Sequence, residues 1–177
     1  MRAATKNEKD SRLDDEVSMV LEQESTTTPA PPGKQSAMAE LEIRDRIALA
    51  EELAIMEIEA EFGKPVTRNV VHDDQVIDGV TFIGSELTII ETKFTQSPRW
   101  DHTILRSINK RRNPVVSSGA KFLLAIVTEG LTAEQRDILL DQATPAMQAA
   151  SWFTRIRIYD LTELIYDLTE LKVKYNL

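Results

Sequence analysis

Residues 76–94 read VIDGVTFIGSELTIIETKF, and the fold turns on them. Two β-prone runs, Val76–Ile83 and Glu86–Phe94, flank the tight-turn signal Gly84-Ser85, which predicts a hairpin. Just upstream, Val66–His72 alternates loosely and breaks at Asp73-Asp74-Gln75, adding a third strand to an antiparallel meander. In the last run, alternation puts Leu87, Ile89, Glu91 and Lys93 on one face and Thr88, Ile90, Thr92 and Phe94 on the other. Both faces are apolar as far as Ile90, as in a strand covered on both sides. Glu91 and Lys93 then interrupt the pattern. On the neighbouring run Asp78 shares a face with Val80 and Phe82, so an acid on one strand and Glu-x-Lys on its partner can converge.

Upstream, Met38–Phe62 carries apolar residues at helical spacing and ends at Gly63 and Pro65, a C-terminal stop. Glu51 interrupts its stripe of Ile47, Ala54 and Ile58. Downstream, Ser97-Pro98 predicts a helix start and Asn113-Pro114 its stop after Arg112. Trp100, Ile104 and Ile108 form its inward stripe, with His102, Arg106, Asn109 and Lys110 opposite. The run KFLLAIVT, residues 121–128, predicts a strand buried on both faces. Thr132 and Gln135 form a capping box for a helix to about Ala143, and Thr144-Pro145 opens a shorter one. Phe153–Tyr159 alternates as a strand, and the repeated YDLTEL at 159–164 and 166–171 predicts a terminal helix.

The order α-β-β-β-α-β-α-β-α predicts an α/β fold, a mixed sheet with an antiparallel front half flanked by helices. Residues 1–37, with ESTTTPAPPGK at 24–34, predict a disordered N-terminal tail, and 38–177 a single domain ending in a C-terminal helix. The pattern over Leu13–Leu21 permits a short helix without requiring one.

The chain has 177 residues, enough for one domain, and no cysteine, which excludes a disulfide scaffold, a zinc ribbon and a thiol nucleophile. No apolar run suits a membrane span, and Met1–Asp10 is polar and charged, unlike a secretory leader. The composition reads as cytoplasmic. Six glycines form no phosphate loop, against a nucleotide-driven motor, and no nucleophile elbow is present. The net charge of −8 argues against a general DNA coat. Residues 64–127 nevertheless carry nine basic against six acidic residues. Arg99, Arg106, Lys110, Arg111 and Arg112 cluster there as candidate nucleic-acid contacts.

Two carboxylates about 4 Å apart at an effective dielectric of about 20 repel by about 4 kcal/mol, and a divalent cation cancels that repulsion. Hard oxygen donors without nearby His or Cys point to Mg²⁺ or Mn²⁺. The segments Ile77-Asp78-Gly79 and Glu91-Thr92-Lys93 resemble the bipartite signature of the PD-(D/E)XK phosphodiesterase superfamily, the restriction-endonuclease-like fold. The acidic helix before them and the basic helix after them match that family's α-β-β-β-α-β core, so the resemblance covers about residues 40–160. Ile77 stands where the family's pattern has proline.

The resemblance implies a Mg²⁺- or Mn²⁺-dependent endonuclease that hydrolyses phosphodiester bonds, with DNA ahead of RNA as substrate and RNA left open, of restriction, defence or repair type. Asp78, Glu91 and the Thr92 carbonyl would be metal ligands and Lys93 the catalytic base or charge stabiliser. Glu51 would be the helix-borne glutamate, with Glu52 second. A homodimer would supply two active sites for a duplex. The alternative is a nuclease-fold binding or scaffold subunit, active only with a partner. On the catalytic reading, Lys93→Ala should fold normally and lose turnover.

Overall fold

A computed structural model describes residues 1–25, 34–100 and 102–176. Among these are six strands and five helices, an α/β fold around one open mixed sheet. In chain order they are β1 (Arg2–Ala3), α1 (Lys6–Ser25), α2 (Lys34–Phe62), β2 (Thr67–His72), β3 (Gln75–Ile83) and β4 (Glu86–Thr95). There follow α3 (His102–Ser118), β5 (Lys121–Thr128), α4 (Ala133–Gln148), β6 (Phe153–Asp160) and α5 (Leu161–Tyr175). The strands lie side by side in sequence order. Pairing is antiparallel from β1 to β4 and parallel from β4 through β5 to β6, each parallel step crossing over through a helix.

The meander forms because its turns suit its strands. Asp73 and Asp74 have φ of 49° and 59°, the left-handed pair that a two-residue hairpin turn requires. Gly79 is needed for space, since a Cβ there would meet Val66 Cγ1 at 2.5 Å.

The strand β5 lies between β4 and β6, and its alternation separates two cores. Leu123, Ala125 and Val127 join Ile90 and Phe94 beneath α1, α2 and α5. Phe122, Leu124 and Ile126 join Ile77, Val80 and Ile89 beneath α3 and α4. The unbroken apolar run at 121–128 is thus explained by cover on both faces.

Three local expectations are corrected. The disordered tail expected over residues 1–37 is, over 2–25, a short edge strand and a twenty-residue helix. Val17 and Val20 of α1 are buried, with Leu13 and Leu21 packed beside them, so an apolar stripe at i, i+4, i+7 and i+8 has a core to enter. Residues 26–33 of that expected tail lie outside the described residues. The helix expected from Ser97-Pro98 to Arg112 instead runs His102–Ser118, with Pro114 inside it. Ser97 Oγ accepts from the Arg99 N–H at 3.3 Å, a local turn, and fully buried Val115 draws the helix past proline. Likewise α4 runs unbroken through Pro145 instead of dividing at Thr144.

The capping box is present, with the Gln135 N–H donating to Thr132 Oγ1 at 3.2 Å and the Thr132 N–H to Gln135 Oε1 at 2.9 Å. At the YDLTEL repeat, Asp160 caps α5 by accepting from the Glu163 N–H at 3.1 Å, while Asp167 lies inside the same helix. No helix among the described residues is long and apolar enough to cross a membrane.

Candidate functional site

The ladder between β3 and β4 runs from Ile83–Glu86 to Gly79–Ile90 and goes no further, while β4 stays paired with β5 as far as Thr95. Past Gly79 and Ile90, side chains replace backbone pairing. The Thr92 N–H and the Thr92 hydroxyl both donate to Asp78 Oδ2, each at 2.7 Å. The carboxylate supplies the acceptor that a continuing strand would have offered.

Around this gap the charged residues of five elements meet. Asp78 and Glu91 are fully buried, and Lys93 is 4% exposed. Lys93 Nζ lies 2.7 Å from Glu91 Oε1 and is also paired with Glu16 of α1. Arg111 of α3 forks onto Glu91, with Nε 2.8 Å from Oε2 and Nη2 3.2 Å from Oε1, while its Nη1 donates to Gln75 at 2.9 Å. Across the cluster, Arg12 of α1 sets Nη1 2.6 Å from Asp78 Oδ1 and Nη2 2.5 Å from Glu51 Oε2. The first of these contacts is an ion pair without hydrogen-bond alignment, so Asp78 Oδ1 and Arg12 Nε are buried with no hydrogen bond. The ion pairs form two groups: Arg12 ties α1 to α2 and β3 through Glu51 and Asp78, and Glu16, Lys93, Glu91 and Arg111 form a chain from α1 through β4 to α3.

Four carboxylates face three cations, and the excess negative charge shows in the acids. Burial pushes Glu51 up to about 7, reinforced by Asp78 and only partly opposed by Arg12. Burial also raises Glu16 above the ordinary carboxylate range, against the pull of Lys93. Glu91 behaves oppositely: burial would raise it, but Arg111 and Lys93 together hold it down at about 2. Lys93 is raised, since its burial is outweighed by Glu16 and Glu91. Breaking one such buried pair typically costs about 3–5 kcal/mol, because the partner is left charged and desolvated.

Asp78, Glu91, Lys93 and Thr92, singled out in the sequence, do come together. Glu51 reaches the same cluster, joined to Asp78 through one shared guanidinium, whereas Glu52 is exposed and pairs with Arg68. The basic group divides. Arg99, Arg106, Lys110 and Arg112 are exposed, but Arg111 is buried on Glu91 and is not part of that surface. Arg111 departs because the helix turn that buries Ile104, Ile108 and Val115 points it inward as well. The side chain of His102 lies outside the described residues.

Sequence reasoning misses Arg12 and Glu16, because it places them in the tail. Their one signal is the apolar stripe beside them at Leu13, Val17, Val20 and Leu21. Lys93 also holds two buried carboxylates, so Lys93→Ala is a destabilising change, contrary to the expectation that it folds normally.

In this arrangement the oxygens do not fit a divalent cation. The donor chemistry is suitable, but Asp78 and Glu51 already face Arg12, and Glu91 faces Lys93 and Arg111. Among the described residues no group of three His, Cys, Asp or Glu is placed to hold a metal ion. The space bounded by Glu16, Glu51, Thr92 and Lys93 is too tight for a water molecule. Comparison of the chain with protein-family models, with curated proteins and with solved structures gives no match.

Proposed function

We propose that the chain is a divalent-metal-dependent nuclease of the PD-(D/E)XK type, acting on DNA in preference to RNA. The observation that carries this reading is the meeting of Asp78, Glu91 and Lys93 in one buried cluster beside the β3–β4 gap. A fold gains little from burying four carboxylates and three cations where apolar residues would pack as well. Such clusters concentrate at functional sites. The order α2-β2-β3-β4-α3-β5, with β4 and β5 parallel, agrees with the core that the sequence resemblance implies.

On this reading Asp78, Glu91 and Glu51 would hold Mg²⁺ or Mn²⁺ only once Arg12 has left them, and the chemistry the ion would supply is water activation and charge neutralisation. The Thr92 carbonyl would be a further donor. Lys93 holds an ammonium beside Glu91, positioned to offset charge developing on a phosphate. Arg111 orients Glu91 from behind and is a positioning residue. Arg99, Arg106, Lys110 and Arg112, exposed around α3, supply the phosphate contacts.

A second reading, a scaffold or binding subunit that works only with a partner, is favoured by one observation. Every carboxylate of the cluster is already matched by a basic side chain. The experiment is a cleavage time course on supercoiled plasmid, single-stranded DNA and RNA with Mg²⁺ or Mn²⁺, beside Lys93→Gln, which keeps a hydrogen-bonding side chain between Glu16 and Glu91. Metal-dependent cleavage lost in the variant supports the nuclease. Equal cleavage by both proteins, or cleavage unaffected by chelator, overturns it. No cleavage of any substrate by the wild type at saturating metal puts the partner-dependent reading first.

A further inference from the structure

Helix α1 is attached to the domain in two different ways. One side packs its apolar stripe against α2, burying Val17 and Val20. The other sends Arg12 and Glu16 into the charged cluster, and each takes a specific position there. Arg12 lies between Asp78 and Glu51, two carboxylates from different elements, at 2.6 and 2.5 Å. Glu16 pairs with the Lys93 ammonium. The fit of Arg12 is imperfect, because its Nε and the facing Asp78 Oδ1 are both buried without a hydrogen bond. A planar guanidinium makes its best carboxylate contacts as a bidentate fork. Here it is split between two acids instead. A small divalent cation would neutralise both acids with twice the charge and less volume.

We propose that α1 is an internal competitor for the metal: the Arg12 guanidinium and a divalent cation are mutually exclusive occupants of the position between Asp78 and Glu51, and Glu16 holds Lys93 while α1 is docked. This inference rests on the reading of Asp78 and Glu51 as metal donors. It accounts for the conflict between a donor set of the right chemistry and an arrangement with no place for the ion. With α1 docked the site is closed to metal. With α1 displaced, Asp78 and Glu51 lose the guanidinium that bridges them and are left as like charges without a shared cation, which a divalent ion relieves.

The test is Mn²⁺ binding, followed by electron paramagnetic resonance, on the full chain as wild type, Arg12→Gln and Val17→Asp. Arg12→Gln removes the competing charge. Val17→Asp breaks the packing of α1 and substitutes no residue of the cluster. Each folded variant is expected to bind Mn²⁺ about tenfold or more tighter than wild type, the ratio set by losing one competing ion pair. Mn²⁺ should raise the Tm of the variants more than that of wild type. If Arg12→Gln does not fold, Val17→Asp decides, and hydrogen exchange on the wild type adds a third readout. Millimolar Mn²⁺ should speed exchange in α1 and leave α2 unchanged.

Equal Mn²⁺ affinity in wild type and variants, or α1 exchange unmoved by Mn²⁺, overturns the competition. A gain in Mn²⁺ binding with no cleavage of DNA or RNA leaves the competition standing and defeats the nuclease. Tight Mn²⁺ binding and cleavage by the wild type, unchanged in the variants, does the reverse. No Mn²⁺ binding by any form defeats both.

Discussion

Thr92 donates its backbone N–H and its hydroxyl to the same oxygen of Asp78, each at 2.7 Å, at the point where the β3–β4 ladder stops. One carboxylate thus continues the sheet where the backbone does not, and its other oxygen is left facing Arg12. Removing that carboxylate strands a buried N–H and leaves the Arg12 guanidinium with Glu51 alone. Asp78→Ala is expected to cost about 3–5 kcal/mol in urea unfolding. Thr92→Val, which loses only the hydroxyl bond, should cost about 1 kcal/mol. Similar losses in the two variants would show that Asp78 is not the connection.

Arg111 and Arg112 are adjacent in sequence and opposite in role. Arg111→Ala leaves Glu91 buried with Lys93 alone and should cost about 3 kcal/mol or more. Arg112→Ala, at an exposed position, should stay within about 0.5 kcal/mol of wild type. Thermal or urea unfolding of the two variants side by side checks the contrast.

For nucleic acid, the four exposed basic residues carry the expectation. Replacing Arg106, Lys110 and Arg112 together by Gln should weaken DNA binding and reduce the slope of log K against log salt by about 0.9 for each phosphate no longer neutralised. An unchanged slope in a salt titration would place the binding surface elsewhere.

Stability should depend on pH in two opposed windows. Glu51 titrates at about 7 when folded, above its ordinary value of 4.5, so the folded state holds the extra proton between them. Its contribution is fully present below pH 4.5 and is lost as pH rises through 7. Glu91 titrates at about 2, below the same ordinary value, so its contribution is present above pH 4.5 and is lost as pH falls through 2. Urea midpoints measured across pH should flatten between 4.5 and 7 in Glu51→Gln relative to wild type.

At α4, Thr132→Ala removes one half of the capping box and should cost about 1 kcal/mol without altering the cluster. Circular dichroism melts check this, and Mn²⁺ binding should be unaffected.

The sequence was sufficient for the elements whose signals are local. Alternation around Gly84-Ser85 was enough for the β3–β4 hairpin, the unbroken run at 121–128 for a strand covered on both faces, and Thr132 with Gln135 for the start of α4. It also picked out Asp78, Glu91, Lys93 and Glu51, because a charge interrupting an apolar pattern is visible along the chain alone. Packing settles which charges answer them. Arg12 and Glu16 look like ordinary solvated residues until α1 docks, since their partners lie on β3, β4 and α2, far along the chain. Arg111 reads as one of five basic residues until the turn of α3 carries it onto Glu91. Local periodicity reports what a residue's own element needs. A buried ion pair is set by two elements at once, through desolvation and charge that exist only after both have packed.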